Sequence, residues 1–180
     1  LNFSKIKQSQ IEGIDTIIDA WDMNESLTDI RWLAYMLATV YHECAGIMQP
    51  IEEYGKGKGR TYGSKVKHSG IAYTTPNQIY YGRGFVQLTW YENYELMGRL
   101  LHVDLLGNPG LALDLDIATK IMFEGMTKGA SSIGDFTGKS LELYFNKTTE
   151  DPLNARRIIN GVDKAQTISN YYTEFKNALI

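Results

Sequence analysis

The stretch Ile30-Arg31-Trp32-Leu33-Ala34-Tyr35-Met36-Leu37-Ala38-Thr39-Val40-Tyr41-His42-Glu43-Cys44 carries the clearest pattern in this chain. Ile30, Leu33, Ala34, Leu37, Val40, Tyr41 and Cys44 recur at offsets of three and four, the spacing that lines one face of an α-helix. A helix this apolar along one stripe is expected to run through a core. Thr28 stands where an N-cap is needed. The sequence therefore delivers His42 and Glu43 to the C-terminal end of a buried rod.

Helical periodicity continues on either side. Ile11, Ile14, Ile18 and Trp21 mark an earlier amphipathic helix. Later ones are expected over residues 90–101, over 117–128 after the Asn108-Pro109-Gly110 turn, and at the C-terminus. In the last, Ala165, Ile168, Tyr172, Phe175 and Leu179 step by three and four, with Asp163 as its cap. Residues 131–152 read as loop with one short helix. Between residues 55 and 84 seven glycines and Pro76-Asn77 break the pattern, and the β-prone pieces 71–74 and 78–81 suggest a small hairpin. A long irregular segment of this kind inside a compact domain is usually functional. The expected fold is mainly α (α+β): residues 1–180 form one domain, a helical body with a small β-hairpin lobe and a cleft between them.

Composition narrows the function classes. A chain of 180 residues can bury most of the surface it would expose unfolded. A formal net charge of −3 argues against a nucleic-acid binder defined by bulk charge. The longest apolar run, residues 32–41, is too short to cross a bilayer, so no membrane insertion is expected. Cys44 is the only cysteine, which excludes an intrachain disulfide and fits folding in a reducing cytoplasm. The chain opens on Leu1 and polar residues, which does not read as a signal peptide. A monomer is expected.

A second stretch carries the chemistry. Tyr80-Tyr81-Gly82-Arg83-Gly84-Phe85-Val86-Gln87-Leu88-Thr89-Trp90, followed by Asn93-Tyr94, supplies amides and hydroxyls that can orient a sugar. Gln87 and Thr89 alternate with Val86, Leu88 and Trp90, so on a strand they would share one face. Tyr73, Tyr80, Tyr81 and Trp90 can pack against sugar rings, although core packing is the commoner use of each. Glu43 faces this wall from a helix end whose negative dipole, with apolar neighbours such as Met36 and Val40, favours a neutral carboxyl, as a general acid requires. Hydrolysis of a glycosidic bond with inversion needs a second carboxylate roughly 6.5–9.5 Å away. Residues 54–91 contain no acid at all, only Lys56, Lys58, Arg60, Lys65, Lys67 and Arg83 among the charges. The second acid near the loop is then Glu52 or Glu53. Adjacent residues of an extended segment point oppositely, so one of them faces the cleft, and Glu52 is the expected one. The basic loop has two readings, a solvated Lys/Arg-rich surface or an attractor for an anionic polymer. Late in the chain, Arg156-Arg157-Ile158-Ile159-Asn160-Gly161 places two cations beside an amide. An arginine there can hold a catalytic carboxylate or cap a helix end.

Three other chemistries fail on spacing. His42-Glu43 would need a histidine at 46 to form a helical zinc site, and Gly46 stands there; no metal or cofactor is expected. Cys44 lies on the apolar stripe while His42 is on another face, so a buried inert thiol is the better reading. The run from Gly134 to Ser140 is one residue short of a phosphate-binding loop.

Taken together, His42-Glu43-Cys44-Ala45-Gly46, Tyr81-Gly82-Arg83-Gly84-Phe85-Val86-Gln87-Leu88-Thr89-Trp90 with Asn93-Tyr94, Asn108-Pro109, and Arg156 to Gly161 resemble glycoside hydrolase family 19. This family comprises chitinases and phage or bacterial endolysins on a lysozyme-like fold. The resemblance implies Glu43 as general acid, Gln87, Thr89 and Asn93 as substrate or water contacts, and Asn160 with Arg157 in the cleft; Tyr81 is the aromatic expected to contact substrate beside them. The family's usual His-Glu-[Ser/Thr]-Gly-Gly reads Cys44-Ala45-Gly46 here, so a hydroxyl beside the acid is missing. Plant-type chitinases carry their second acid further downstream, where this chain is basic. The shorter endolysin-type spacing places it at Glu52. The resulting expectation is an endolysin-like hydrolase acting at the bacterial cell wall, on the β-1,4 bond between N-acetylmuramic acid and N-acetylglucosamine. A chitinase of the same architecture is the alternative. From a different class comes a catalytically weak wall-binding module of a phage particle or toxin.

Overall fold

The computed structural model describes residues 5–130 and 136–180. Part of the expected 131–152 loop and of the 134–140 run therefore lies outside the described residues. Helices α1 (Gln8–Asp22), α2 (Ile30–Glu43), α3 (Tyr91–Leu101), α4 (Leu115–Lys128) and α5 (Ala165–Leu179) build the body. Strands β1 (Ile51–Glu52) and β2 (Arg83–Gly84) form one small antiparallel sheet.

Helix α2 is the central rod that its stripe predicts, and more: residues 33–40 are buried on every side. Leu33, Met36, Leu37 and Val40 are each 2% exposed or less. Full burial of one such side chain contributes about 1.5–3 kcal/mol. Its N-cap is Asp29 rather than Thr28. The Asp29 carboxylate accepts the Arg31 N–H at 3.1 Å and also pairs with the Arg31 guanidinium, a double use that threonine cannot make. The rod packs chiefly against α5, where Ala165, Ile168, Tyr172 and Phe175 turn inward as the periodicity demands. The rings of Tyr35, Phe145 and Tyr172 close this contact, with centroids 5.3 Å (Tyr35–Phe145) and 5.2 Å (Phe145–Tyr172) apart. The expected Asp163 cap does not form. Lys164 takes the N-cap position with a left-handed φ of 58°, and the Asp163 carbonyl accepts from Arg156 Nε instead.

The small lobe differs from expectation. Residues 71–74 and 78–81 do not pair as a hairpin. Tyr73 and Tyr80 turn into an aromatic cluster with Tyr91 and Tyr94, and Tyr80 is fully buried. Core packing takes the apolar side chains that a free hairpin would leave exposed. The ladder joins segments far apart in sequence, with Ile51 opposite Gly84 and Glu52 opposite Arg83. Gly84 is required here: its φ is +85°, and a Cβ would lie 2.7 Å from the Ala112 carbonyl oxygen. The C-terminal end of α2 and the β1–β2 lobe thus face each other across a cleft.

Candidate active site

The cleft holds about 230 Å³ and gathers Glu43 from the end of α2, Glu53 just after β1, and Tyr62 from the glycine-rich loop. Gly82, Val86, Gln87 and Thr89 line it from the β2 side, and Ile159 with Asn160 from the late turn.

Glu43 is the last residue of α2, with its side chain 15% exposed. Arg156 Nη1 donates to Glu43 Oε1 at 2.5 Å, and the Arg156 side chain is itself only 5% exposed. The arginine that meets the carboxylate is thus Arg156, not Arg157. Both sit in the short 3-10 helix Asn154–Ile158, where consecutive side chains are about 120° apart, so only one can face α2. Arg157 points outward, its Nε 3.4 Å from Asn154 Oδ1. His42, beside the acid, is half-buried, and that burial holds its imidazole below the usual range.

The second acid in the cleft is Glu53. Glu52 and Glu53 do point oppositely, but the register sends Glu52 away from the cleft. Glu52 lies directly across from Arg83, and Tyr81 shares the Arg83 face two residues earlier. That face claims Glu52: Tyr81 donates its hydroxyl to Oε1 at 2.6 Å, Lys56 sits 2.9 Å from Oε2, and Arg83 Nε lies 3.5 Å from Oε1. The Tyr81 hydrogen bond, reinforced by Lys56, holds the Glu52 carboxyl below its ordinary value. Glu53 takes the opposite face. Its N–H donates to the Gly82 carbonyl at 2.8 Å, the Gly82 N–H returns to Glu53 Oε2 at 3.1 Å, and the Tyr62 hydroxyl donates to Oε1 at 2.9 Å.

Gln87 and Thr89 share the wall, but Val86, which strict alternation sends to the other face, lines it too, because the segment is a turn and not a strand. Residues 83–88 form a tight turn closed by reciprocal Arg83–Leu88 backbone bonds, and Gln87 adopts a left-handed φ of 54°. Gln87 Nε2 ties the lobe together by donating to the Ile51 and Gly84 carbonyls, both at 3.1 Å. Thr89 donates its hydroxyl to the Gln87 carbonyl at 2.8 Å, which leaves its oxygen able to accept. Asn160 is exposed at the rim, its Oδ1 accepting the Gly161 N–H.

Two expected contacts lie elsewhere. Tyr81 gives its hydroxyl to Glu52 and its ring face to Arg83, whose guanidinium carbon is 3.5 Å from the centroid. Asn93 is fully buried in α3 and donates to the Thr89 carbonyl at 2.9 Å, so it props the wall from behind. Cys44 is buried too, its thiol pushed up to about 12 by desolvation, as the inert-thiol reading expects. Sequence reasoning missed Tyr62 entirely, because a tyrosine inside a glycine-rich loop carries no periodic signal.

Comparison with known proteins places the chain in a family. A family model described as chitinase class I matches residues 23–130, more than half of the chain. Among curated proteins, an endochitinase of Arabidopsis thaliana is 39% identical over 82 residues, 45% of this chain and 26% of that protein. Endochitinase 1 of Theobroma cacao is 51% identical over 49 residues, 27% of this chain and 15% of that protein. The chain thus matches only a small part of the length of these plant relatives. Across solved structures, a bacterial family 19 chitinase superposes with a TM-score of 0.59 at 23% identity, covering 97% of this chain and 89% of the other. Chitinase C from Streptomyces griseus gives 0.55 at 24% identity, covering 98% and 72%. The mainly α, lysozyme-like architecture is shared with both.

Proposed function

The chain belongs to the class I chitinase family, glycoside hydrolase family 19, and on that premise we propose that it hydrolyses β-1,4-linked N-acetylglucosamine polymers by two-carboxylate acid–base catalysis with inversion. The observation that carries this reading is the convergence of Glu43 and Glu53 on one cleft, among Gln87, Thr89 and Asn160. In its protonated form Glu43 gives the proton on Oε2 to the leaving oxygen, while Arg156 on Oε1 stabilises the carboxylate that remains and pairs with it. Glu53 takes a proton from water attacking the opposite face of the sugar. The Thr89 oxygen, whose hydrogen is already spent on Gln87, accepts the other water hydrogen, so the water lone pair is aimed at the anomeric carbon. Asn160 at the rim meets the acetamido or hydroxyl groups of the sugar.

Peptidoglycan is the second reading, and the basic loop favours it. Several of its cationic side chains are engaged within the protein, however. Lys56 pairs with Glu52, Lys65 with Asn77, and Lys67 covers the Tyr91 ring at 4.0 Å. Lys58 and Arg60 remain exposed to an incoming polymer. The chitin reading therefore stands first. Release of reducing ends from N-acetylglucosamine oligomers and from purified peptidoglycan, at low and high salt, separates the two. Chitin hydrolysis is expected to be the faster and nearly salt-insensitive. Faster peptidoglycan hydrolysis that collapses with salt would reverse the order. Wall binding without new reducing ends on either polymer would refute the enzyme reading.

A further inference from the structure

We infer that Tyr62 is a positioning residue for Glu53, an inference that rests on the acid–base reading above. The Glu53 carboxylate is gripped at both oxygens by groups from different parts of the chain. Oε2 takes the Gly82 N–H at 3.1 Å, a donor fixed by the β1–β2 ladder. Oε1 takes the Tyr62 hydroxyl at 2.9 Å. The first grip is backbone and cannot be lost by substitution; the second depends on one phenol.

The loop around Tyr62 is built to put that phenol in place. Successive turns bond the Lys58 N–H to Gly55, Arg60 to Gly57, and Gly63 to Arg60. Gly63 lies so close to Gly57 that a Cβ on it would stand 2.0 Å from the Gly57 carbonyl oxygen. This packing leads the chain into the 3-10 helix Thr61–Ser64, which carries Tyr62. On the cleft side the Tyr62 ring stands edge-on to Trp90, centroids 5.5 Å apart and planes at 77°. Trp90 adjoins Thr89, the proposed water acceptor. The ring therefore spans from the loop to the wall, and its hydroxyl reaches the acid between them. A carboxylate that must accept a proton from a water aimed at one carbon cannot be free to rotate. Tyr62 removes that freedom and leaves Oε1 lone pairs for the water.

The test is Tyr62→Phe, which deletes the hydroxyl and keeps the ring against Trp90, assayed on soluble N-acetylglucosamine oligomers. Loss of a hydrogen bond to a charged group predicts a kcat lower by roughly tenfold or more, with KM within about twofold and a urea midpoint that falls less than in the variant that also loses the ring. Tyr62→Leu, which also loses the ring, lowers stability as well and serves as the packing control. In a Glu53→Gln background the Tyr62→Phe change adds nothing to the residual kcat. Wild-type kcat in Tyr62→Phe overturns the inference. So does an intact kcat with raised KM, which marks a sugar contact, or an equal loss in both backgrounds. These results leave the catalytic reading standing while Glu53→Gln is inactive; a fully active Glu53→Gln refutes the base assignment and the inference with it.

Discussion

Replacing Arg156 by methionine removes the cation from a pair that the fold has almost fully enclosed. The Arg156 side chain is 5% exposed and that of Glu43 15%, with 2.5 Å between them. Breaking a buried pair by removing one partner typically costs about 3–5 kcal/mol, because the remaining charge is left without compensation. The 3-10 helix also loses the Arg156 Nε bond to the Asp163 carbonyl, which fixes the entry to α5 and is worth about 1 kcal/mol. The upper half of the 3–5 kcal/mol range is thus expected for Arg156→Met. Glu43→Gln in the same chain leaves the arginine charged but keeps an amide oxygen where the carboxylate accepted its hydrogen bond, and should cost less. The double variant carries no uncompensated charge and should recover about 2–3 kcal/mol relative to the sum of the single effects. Urea unfolding of the four proteins at neutral pH, with a constant m-value, measures this coupling. Additive single effects, or a loss below about 1 kcal/mol for Arg156→Met, would refute the view of Arg156 as the partner that holds the acid.

Three further outcomes are expected. Hydrogen bonding from Tyr81 and pairing with Lys56 depress the Glu52 carboxyl below its ordinary 4.5, so its contribution to stability is present above that pH and is lost as pH falls through the lower folded value. Acid unfolding monitored by circular dichroism should show this loss below pH 4.5 in the parent and not in Glu52→Gln, and identical acid limbs would contradict it. Cys44, with its thiol pushed up to about 12, should resist alkylation by iodoacetamide in the native protein at pH 8 and react only after unfolding; rapid native labelling, read by mass spectrometry, would contradict its burial. Asn93→Ala should lower stability by about 1–3 kcal/mol through the lost bond to Thr89 and raise KM little, whereas a large rise in KM with unchanged stability would restore it as a sugar contact.

What the sequence made legible follows from the range of the interactions involved. Helix α2 and the inward face of α5 were readable because apolar periodicity is local, and burial of residues 33–40 obeys it. Caps were not: Asp29 displaces Thr28 because its carboxylate also meets Arg31, and Asp163 is diverted when its carbonyl meets Arg156. The choice between Glu52 and Glu53 turned on a register with residue 83, thirty positions away, and no local pattern encodes that register. Gln87 and Thr89 do reach one wall, but Val86 joins them there, because a left-handed turn and not an alternating strand carries the segment. The Arg156–Arg157 pair was visible as charge beside an amide, but the 3-10 geometry selects which one reaches Glu43.

The central claim is that the cleft works with Glu43 and Glu53 while Glu52 serves the lobe. Its most direct test is the kcat of Glu53→Gln beside that of Glu52→Gln on N-acetylglucosamine oligomers, at a pH where both variants are folded. Loss of a general base predicts a fall on the order of a hundredfold or more for Glu53→Gln, against less than about tenfold for Glu52→Gln. The opposite order, with Glu52→Gln inactive and Glu53→Gln near the parent rate, would contradict the account.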